Sequence, residues 1–136
     1  MKGSITVVGL GSGDESQLTL GALRRLEQAD VLYLRTEHHP VTAYLRNLGI
    51  AYRSFDDLYE AHDQFHEVYA AIVDRLLEEA ADKPGRQIVY AVPGHPQVAE
   101  ATVQMLRART PEEGIELTIV GGESFLDQAF LRFGFD

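Results

Sequence analysis

Short apolar runs alternate with amphipathic stretches along the whole of this 136-residue chain. The first run, residues 5–8, is rich in β-branched side chains, which is typical of a strand buried on both faces of a sheet. Strands that alternate with helices indicate an α/β fold with a parallel sheet. The sequence therefore predicts a five-stranded parallel sheet flanked by helices, with strands at residues 5–8, 31–34, 50–55, 88–92 and 117–120.

Helices are predicted between these strands. The clearest spans residues 63–81, where apolar side chains beginning at Phe65 recur every three or four residues along one stripe. Thr19 is placed to cap the first helix. That helix is predicted to turn three leucines toward the sheet: Leu20, Leu23 and Leu26. Two further helices are predicted at residues 41–48 and 97–107.

The composition excludes several classes of function. The net charge of −9 disfavours binding to a nucleic-acid backbone. The absence of cysteine excludes disulfides, thiolate metal sites and thiol catalysis. No signal-peptide pattern precedes the first strand, and no apolar run approaches membrane length. We therefore expect a cytoplasmic protein whose partners include neither nucleic acid nor membrane.

Two glycine turns follow predicted strands about eighty residues apart. Residues 9–14 read Gly-Leu-Gly-Ser-Gly-Asp, and residues 91–96 read Ala-Val-Pro-Gly-His-Pro. In open parallel sheets, ligands bind in the crevice at the carboxyl ends of the strands. Glycine lets the backbone approach a ligand closely. The pair therefore predicts a small-molecule site built largely of backbone.

The first turn invites comparison with the dinucleotide-binding fingerprint, but it departs from that pattern twice. Asp14 stands where the fingerprint has its third glycine, and the second predicted strand leads into Arg35 where an acidic residue should bind the ribose. A nicotinamide- or nucleotide-binding domain is therefore kept only as an alternative. A second alternative is a structural turn in which Asp14 accepts hydrogen bonds from local amides.

The second turn is stiffened by proline. Pro93 and Pro96 bracket Gly94 and His95, which fixes φ on both sides and removes two amide donors. This rigidity favours a ligand-binding loop, although a rigid connector is the alternative. A Gly94→Val substitution is expected to block the ligand and leave the fold intact.

The histidines and paired carboxylates do not form a recognisable catalytic or metal pattern. His62 and His66 have helical spacing without the intervening glutamate of a zincin, so we interpret them as surface histidines and predict no metal site. His38 and His39 precede a proline and are predicted to lie in a loop. No G-x-S-x-G nucleophile motif is present. Two acidic pairs are interpreted as solvated faces or caps: Asp56-Asp57 and Glu78-Glu79.

Several strings, in order along the chain, resemble the tetrapyrrole methylases, the class III S-adenosylmethionine-dependent methyltransferases. The strings that carry this resemblance are residues 5–14, 18–20, 29–31, 90–96 and 120–125. Other strings resemble the methylase-like N-terminal domain of bacterial proteins that carry a MazG-type nucleoside triphosphate pyrophosphohydrolase domain. These are residues 35–40, 54–60, 62–65 and 124–127.

The resemblance implies the N-terminal half of the tetrapyrrole methylase fold. Residues 1–121 would form the N-terminal α/β subdomain, and residues 122–136 a linker and helix leading into a second subdomain. S-adenosylmethionine would bind in the cleft between the two subdomains. Carried over by position, the cofactor-binding residues would be Gly11, Ser12, Gly94, His95, Pro96, Val98, Ser124 and Phe125. No catalytic residue is assigned, because a sulfonium methyl group is already activated and transfer depends mainly on alignment.

The resemblance also implies the function. We expect S-adenosylmethionine-dependent methyl transfer to an acceptor that the sequence leaves open, with a tetrapyrrole-like small molecule suggested by the family alone. We expect this stretch alone to be inactive and to bind the cofactor weakly. The alternative is a non-catalytic binding or regulatory module upstream of a MazG-type pyrophosphohydrolase. The terminal segment after Ser124 reads as a helix that is apolar over most of its circumference. We expect the protein to form homo-oligomers in which two copies bury the apolar surface of this segment against each other.

Overall fold

The computed structural model describes residues 3–11, 13–94 and 100–121. Its centre is a five-stranded sheet with the strand order β3-β2-β4-β1-β5. The strands are β1 (Ser4–Gly9), β2 (Val31–Leu34), β3 (Arg53–Ser54), β4 (Ile88–Val92) and β5 (Glu116–Val120). The helices are α1 (Leu20–Gln28), α2 (Thr42–Asn47), α3 (Asp56–Ala61), α4 (Phe65–Asp82) and α5 (Ala101–Arg109).

Every pair of neighbouring strands runs parallel, which confirms the predicted fold class. Alternate residues of β1 enter different cores: Ile5 and Val7 pack with α4 and α5, whereas Val8 packs with α1 and α2. Because side chains alternate between the faces of a strand, these two cores lie on opposite faces of the sheet. The helices therefore cover both faces, and β1, β2 and β4 form the buried centre.

Element boundaries differ from the predictions where local pattern is weak. The strand predicted at residues 50–55 is reduced to Arg53–Ser54; β3 lies at one edge of the sheet and pairs with only Tyr33 and Leu34 of β2. Short edge strands limit the exposure of unpaired backbone groups. Asp56 and Asp57 open helix α3, which was not predicted as a helix. Residues 97–99 of the predicted fourth helix lie outside the described residues, and the helix ends two residues later than expected.

Two apolar residues predicted to face the core are exposed. Thr19 caps α1 as expected, with its hydroxyl accepting a hydrogen bond from the Ala22 amide. Leu20 is nevertheless 63% exposed, whereas Ala22 and Leu26 are buried. At 100° per residue, Leu20 points about 140° away from the buried stripe. Phe65, the first residue of α4, is likewise 69% exposed.

Glu79 joins three elements, a role that goes beyond the solvated face or cap that the sequence suggested. The Tyr33 hydroxyl of β2 donates to its Oε1 at 2.8 Å, and Lys83 donates to its Oε2 at 2.7 Å. Arg53 of the edge strand lies 3.9 Å from Oε1. The hydrogen bond from Lys83 lowers the pKa of Glu79, assisted by that from Tyr33 and opposed by partial burial. Glu79 therefore ties α4 to the edge of the sheet in its ionised form.

We expect Glu79→Gln to destabilise the protein at pH 7 and to have progressively less effect as the medium becomes acidic. A carboxyl group with a lowered folded-state pKa stabilises the fold above its unfolded value, here about 4.5. That contribution is lost as the pH falls through the folded-state pKa. Urea unfolding at pH 7 and pH 3 measures this difference. Glu78→Gln, at the exposed neighbouring position, is the matched control, and an equal loss of stability in both variants would contradict the role of Glu79.

Among the described residues, no helix combines the length and the apolar character needed to cross a membrane.

Candidate functional site

The strand order places a crevice between the carboxyl ends of β1 and β4. These strands are neighbours, with Gly9 in register with Val92. After β1 the chain continues to α1, and after β4 it continues to α5, which packs on the opposite face. Adjacent strands whose connections leave toward opposite faces create the opening where ligands bind in α/β sheets. Both predicted glycine turns lie at this opening.

The two turns bind directly to each other. Gly94 donates its amide hydrogen to the Gly11 carbonyl at 2.9 Å, and Gly11 donates to the Gly94 carbonyl at 3.3 Å. The bridge is antiparallel, although the strands that lead into it are parallel. Gly11 has φ +76° and Gly94 has φ +68°, a left-handed conformation that other residues adopt only with strain. The sequence singled out both turns, and the structure joins them.

The space around the two glycines differs. A Cβ at Gly11 would meet the backbone carbonyl of Gln17 at 3.1 Å, whereas a Cβ at Gly94 would have no described atom within 4 Å. Among the described residues, the space beside Gly94 is therefore open, whereas the absence of a Cβ at Gly11 lets the first turn approach Gln17. The positive φ means that Gly94→Val would also strain the backbone and lower stability, because a β-branched residue is strongly disfavoured there.

The other predicted cofactor-binding residues lie outside the described residues. These are Ser12, His95, Pro96, Val98, Ser124 and Phe125. Their predicted contacts stay predictions.

Asp14 accepts local hydrogen bonds, as expected for the alternative in which the first turn is a structural turn. The amide and the hydroxyl of Ser16 donate to its Oδ1 at 2.9 and 2.6 Å. The Ser16 hydroxyl is the main cause of the lowered pKa of Asp14, so the residue remains a carboxylate. An exposed carboxylate beside the first turn disfavours a pyrophosphate there.

The loop that follows β2, residues 35–41, reaches the same edge of the sheet. His39 places its Nε2 atom 3.0 Å from the Gly11 carbonyl oxygen. Asp56 holds the start of the loop by accepting hydrogen bonds from the Thr36 hydroxyl at 2.7 Å and from the Glu37 amide at 2.9 Å. Partial burial disfavours ionisation of Asp56, but these hydrogen bonds outweigh it and lower its pKa. Asp56 is therefore a loop anchor, a role that goes beyond the solvated face or helix cap predicted from the sequence.

Arg35 ends a chain of polar contacts that starts in the core. Its Nη1 donates to the Tyr59 hydroxyl at 3.0 Å, and its Nε lies 3.4 Å from Oε2 of Glu100. The Thr102 hydroxyl donates its only hydrogen to Glu100 at 2.7 Å, so the 2.8 Å contact between Thr102 and Tyr90 must use the phenol as donor. The sequence therefore places Arg35 at the end of β2, while only the fold supplies its partners.

The ionisation of this group of residues follows from burial and pairing. The side chains of Arg35 and Glu100 are 25% and 11% exposed. Burial opposes the charge of Arg35, but Glu100 and Tyr59 outweigh it, and the pKa of Arg35 is raised. Burial raises the pKa of Tyr90 well above its ordinary value, so it remains a neutral phenol. The edge of the crevice thus carries a permanently charged guanidinium held against a carboxylate.

Other features of the described surface do not point to a site. No group of three or more histidine, aspartate or glutamate side chains in residues 3–11, 13–94 and 100–121 could hold a metal ion. His62 pairs with Glu67 at 3.5 Å. Two shallow cavities, of about 210 and 350 Å³, are both lined by Asp30 and Ala51. Because these residues precede β2 and β3, both cavities lie at the amino ends of the strands. They are separate from the crevice.

The family model of the Tetrapyrrole (Corrin/Porphyrin) Methylases matches residues 4–136. The chain belongs to this family. Members of the family use S-adenosylmethionine as methyl donor, and the glycine bridge lies where the α/β fold places a ligand. Family membership therefore confirms the broad resemblance drawn from the sequence, whereas the MazG-associated subgroup stays a prediction.

Individual relatives agree with this assignment. The chain is 51% identical over 130 residues to the uncharacterized protein YabN of Bacillus subtilis (strain 168), covering 96% of this chain and 26% of that protein. It is 33% identical over 123 residues to siroheme synthase 1 of Aeromonas hydrophila, covering 89% and 25%. The crystal structure of uroporphyrin-III-C-methyltransferase from Thermus thermophilus matches with a TM-score of 0.70 and 27% identity, covering 98% of this chain and 54% of that chain. The chain thus spans about a quarter of these curated relatives and about half of the crystallised chain.

Proposed function

We propose that this tetrapyrrole methylase chain forms one wall of an S-adenosylmethionine site and serves methyl transfer. The observation that carries the proposal is the direct bridge between Gly11 and Gly94 at the carboxyl ends of adjacent strands. Family membership supplies the identity of the cofactor. No described atom lies within 4 Å of a Cβ built on Gly94, which supports a ligand that lies against the backbone there.

The bridge also limits how the two glycines could contact the cofactor. The Gly11 carbonyl accepts from both Gly94 and His39, which fills its two lone pairs, and both amide hydrogens are used within the bridge. Gly11 and Gly94 would therefore bind by close backbone approach rather than as hydrogen-bond donors. Hydrogen bonds to the cofactor would come from the remaining predicted residues, Ser12 and His95 among them.

S-adenosylmethionine supplies a methyl group activated on a sulfonium centre. The chain's own contribution would be to orient the cofactor and to exclude water from it. For the acceptor we propose a small molecule of tetrapyrrole type, supported by the names of two matched proteins, siroheme synthase 1 and uroporphyrin-III-C-methyltransferase. Cytoplasmic location, weak cofactor binding by this stretch alone and association through the terminal segment stay predictions.

A second candidate function is a non-catalytic binding or regulatory module upstream of a MazG-type pyrophosphohydrolase. The match to YabN covers only 26% of that protein, which leaves room there for further domains. A relative of that length contains much sequence beyond the methylase-like segment. Cofactor binding without methyl transfer in the full-length protein would support this candidate.

Calorimetric titration of the full-length protein tests the proposal. We expect S-adenosylhomocysteine to bind with a dissociation constant in the range of roughly 1–100 μM, which corresponds to about −8 to −5.5 kcal/mol. NADH is expected neither to bind nor to compete, because Asp14 and Arg35 disagree with the dinucleotide fingerprint. Binding of NADH without binding of S-adenosylhomocysteine would reject the methyltransferase in favour of a nicotinamide-binding domain.

A further inference from the structure

His39 lies between the first glycine turn and the start of α2. On one side its Nε2 atom is 3.0 Å from the carbonyl oxygen of Gly11. On the other side the Val41 amide donates to its Nδ1 atom at 3.1 Å. The ring is half-buried, while the preceding His38 is exposed. The imidazole thus connects two segments that are 28 residues apart.

These two contacts determine the tautomer of the ring. Nδ1 accepts a hydrogen bond from a backbone amide, so it carries a lone pair and no hydrogen. In the neutral imidazole the hydrogen then resides on Nε2, which donates it to the Gly11 carbonyl. That carbonyl also accepts the Gly94 amide at 2.9 Å, so both of its lone pairs are occupied.

The loop that carries His39 is itself fixed at several points. Asp56 holds Thr36 and the Glu37 amide, and the Thr42 hydroxyl donates to the Glu37 carbonyl at 2.8 Å. Pro40 further limits the backbone beside the histidine. A side chain held by such a loop can restrict the orientation of the peptide group that it contacts.

We propose that His39 is a positioning residue for cofactor binding, which it serves by fixing the Gly11 carbonyl in the orientation that the Gly94 amide requires. The inference rests on the proposed function, since it gives the glycine bridge its role as the cofactor-binding surface. His39 itself need not touch the cofactor. Its donor hydrogen keeps the two turns joined and so keeps the crevice preformed, which reduces the ordering cost of binding.

Two substitutions separate the two hydrogen bonds of His39. Glutamine places an amide donor near the position of Nε2 and can keep the bond to Gly11. Asparagine places an oxygen near the position of Nδ1 and can keep the bond from Val41, but it loses the donor to Gly11. We expect His39→Asn to weaken binding of S-adenosylhomocysteine to the full-length protein about three- to tenfold, the effect of one hydrogen bond, and His39→Gln to restore most of that loss. The exposed neighbour provides the control, His38→Gln, which is expected to bind as wild type does.

The outcomes of this titration are distinct. Equal affinity of wild type and His39→Asn would overturn the inference, and so would tight binding by His39→Asn combined with weak binding by His39→Gln. Absence of binding by wild type would instead reject the proposed function, and with it this role of His39.

Nuclear magnetic resonance of the wild-type protein labelled with ¹⁵N-histidine gives a readout that does not depend on the cofactor or on the folding of variants. When the ring of His39 is neutral, we expect its hydrogen to reside on Nε2. A hydrogen on Nδ1, or rapid exchange between the two tautomers, would overturn the assignment of His39 as the donor to Gly11.

Discussion

Gly94→Ala is expected to weaken binding of S-adenosylhomocysteine to the full-length protein at least tenfold. Gly94 has φ +68°, and a Cβ built on it has no described atom within 4 Å. The added methyl group would therefore project into the space proposed for the cofactor. A left-handed conformation also costs alanine about 1–2 kcal/mol, which strains the bond between the Gly94 amide and the Gly11 carbonyl. Calorimetry measures the affinity, and urea unfolding measures the accompanying loss of stability.

The chain contains a closely matched control for the backbone strain. Gly114 has φ +66°, and a Cβ there also has no described atom within 4 Å, but it lies in the turn before β5. We expect Gly114→Ala to lose a similar 1–2 kcal/mol of stability and to bind S-adenosylhomocysteine as wild type does. If the two variants bind equally well, Gly94 does not line the cofactor site.

Phe55→Ala is expected to cause the largest loss of stability, about 3–5 kcal/mol. Phe55 is fully buried between two tyrosine rings, stacked on Tyr33 at 4.7 Å between centroids and edge-on to Tyr90 at 5.9 Å. Truncation removes both aromatic contacts and leaves a cavity between β2, β4 and α3. It also loosens the position of Asp56, which anchors the loop that carries His39. Urea unfolding monitored by circular dichroism measures the change.

The matched control is Phe65→Ala. Phe65 is 69% exposed and contacts Tyr59 and Tyr69 at centroid distances of 6.5 and 6.2 Å. Because little surface is buried and no cavity forms, the expected loss is about 1 kcal/mol or less. Similar losses in the two variants would contradict the structural distinction between these phenylalanines.

Local pattern allowed much of the architecture to be predicted. The β-branched run at β1 and the helical stripe of α4 reflect short-range periodicity, and each matched the observed element within a few residues. The glycine turns were recognisable because few residues tolerate such a backbone. Thr19 was correctly placed as a cap because capping depends on neighbouring residues alone. Leu20 and Phe65 were wrongly predicted to be buried, since the hydrophobicity of a side chain does not show whether another part of the fold covers it.

The sequence by itself determined the α/β class, the parallel strands and the two turns that could approach a ligand. Tertiary structure alone decided that β4 lies between β2 and β1, and that order is what brings Gly94 to Gly11. It also decided that His39 reaches Gly11 and that Asp56 holds Thr36. The physical reason is that periodicity and capping depend on residues within a few positions of one another. Backbone hydrogen bonds between strands are chemically alike for every possible pair, so the choice of neighbours is made by packing across the whole domain.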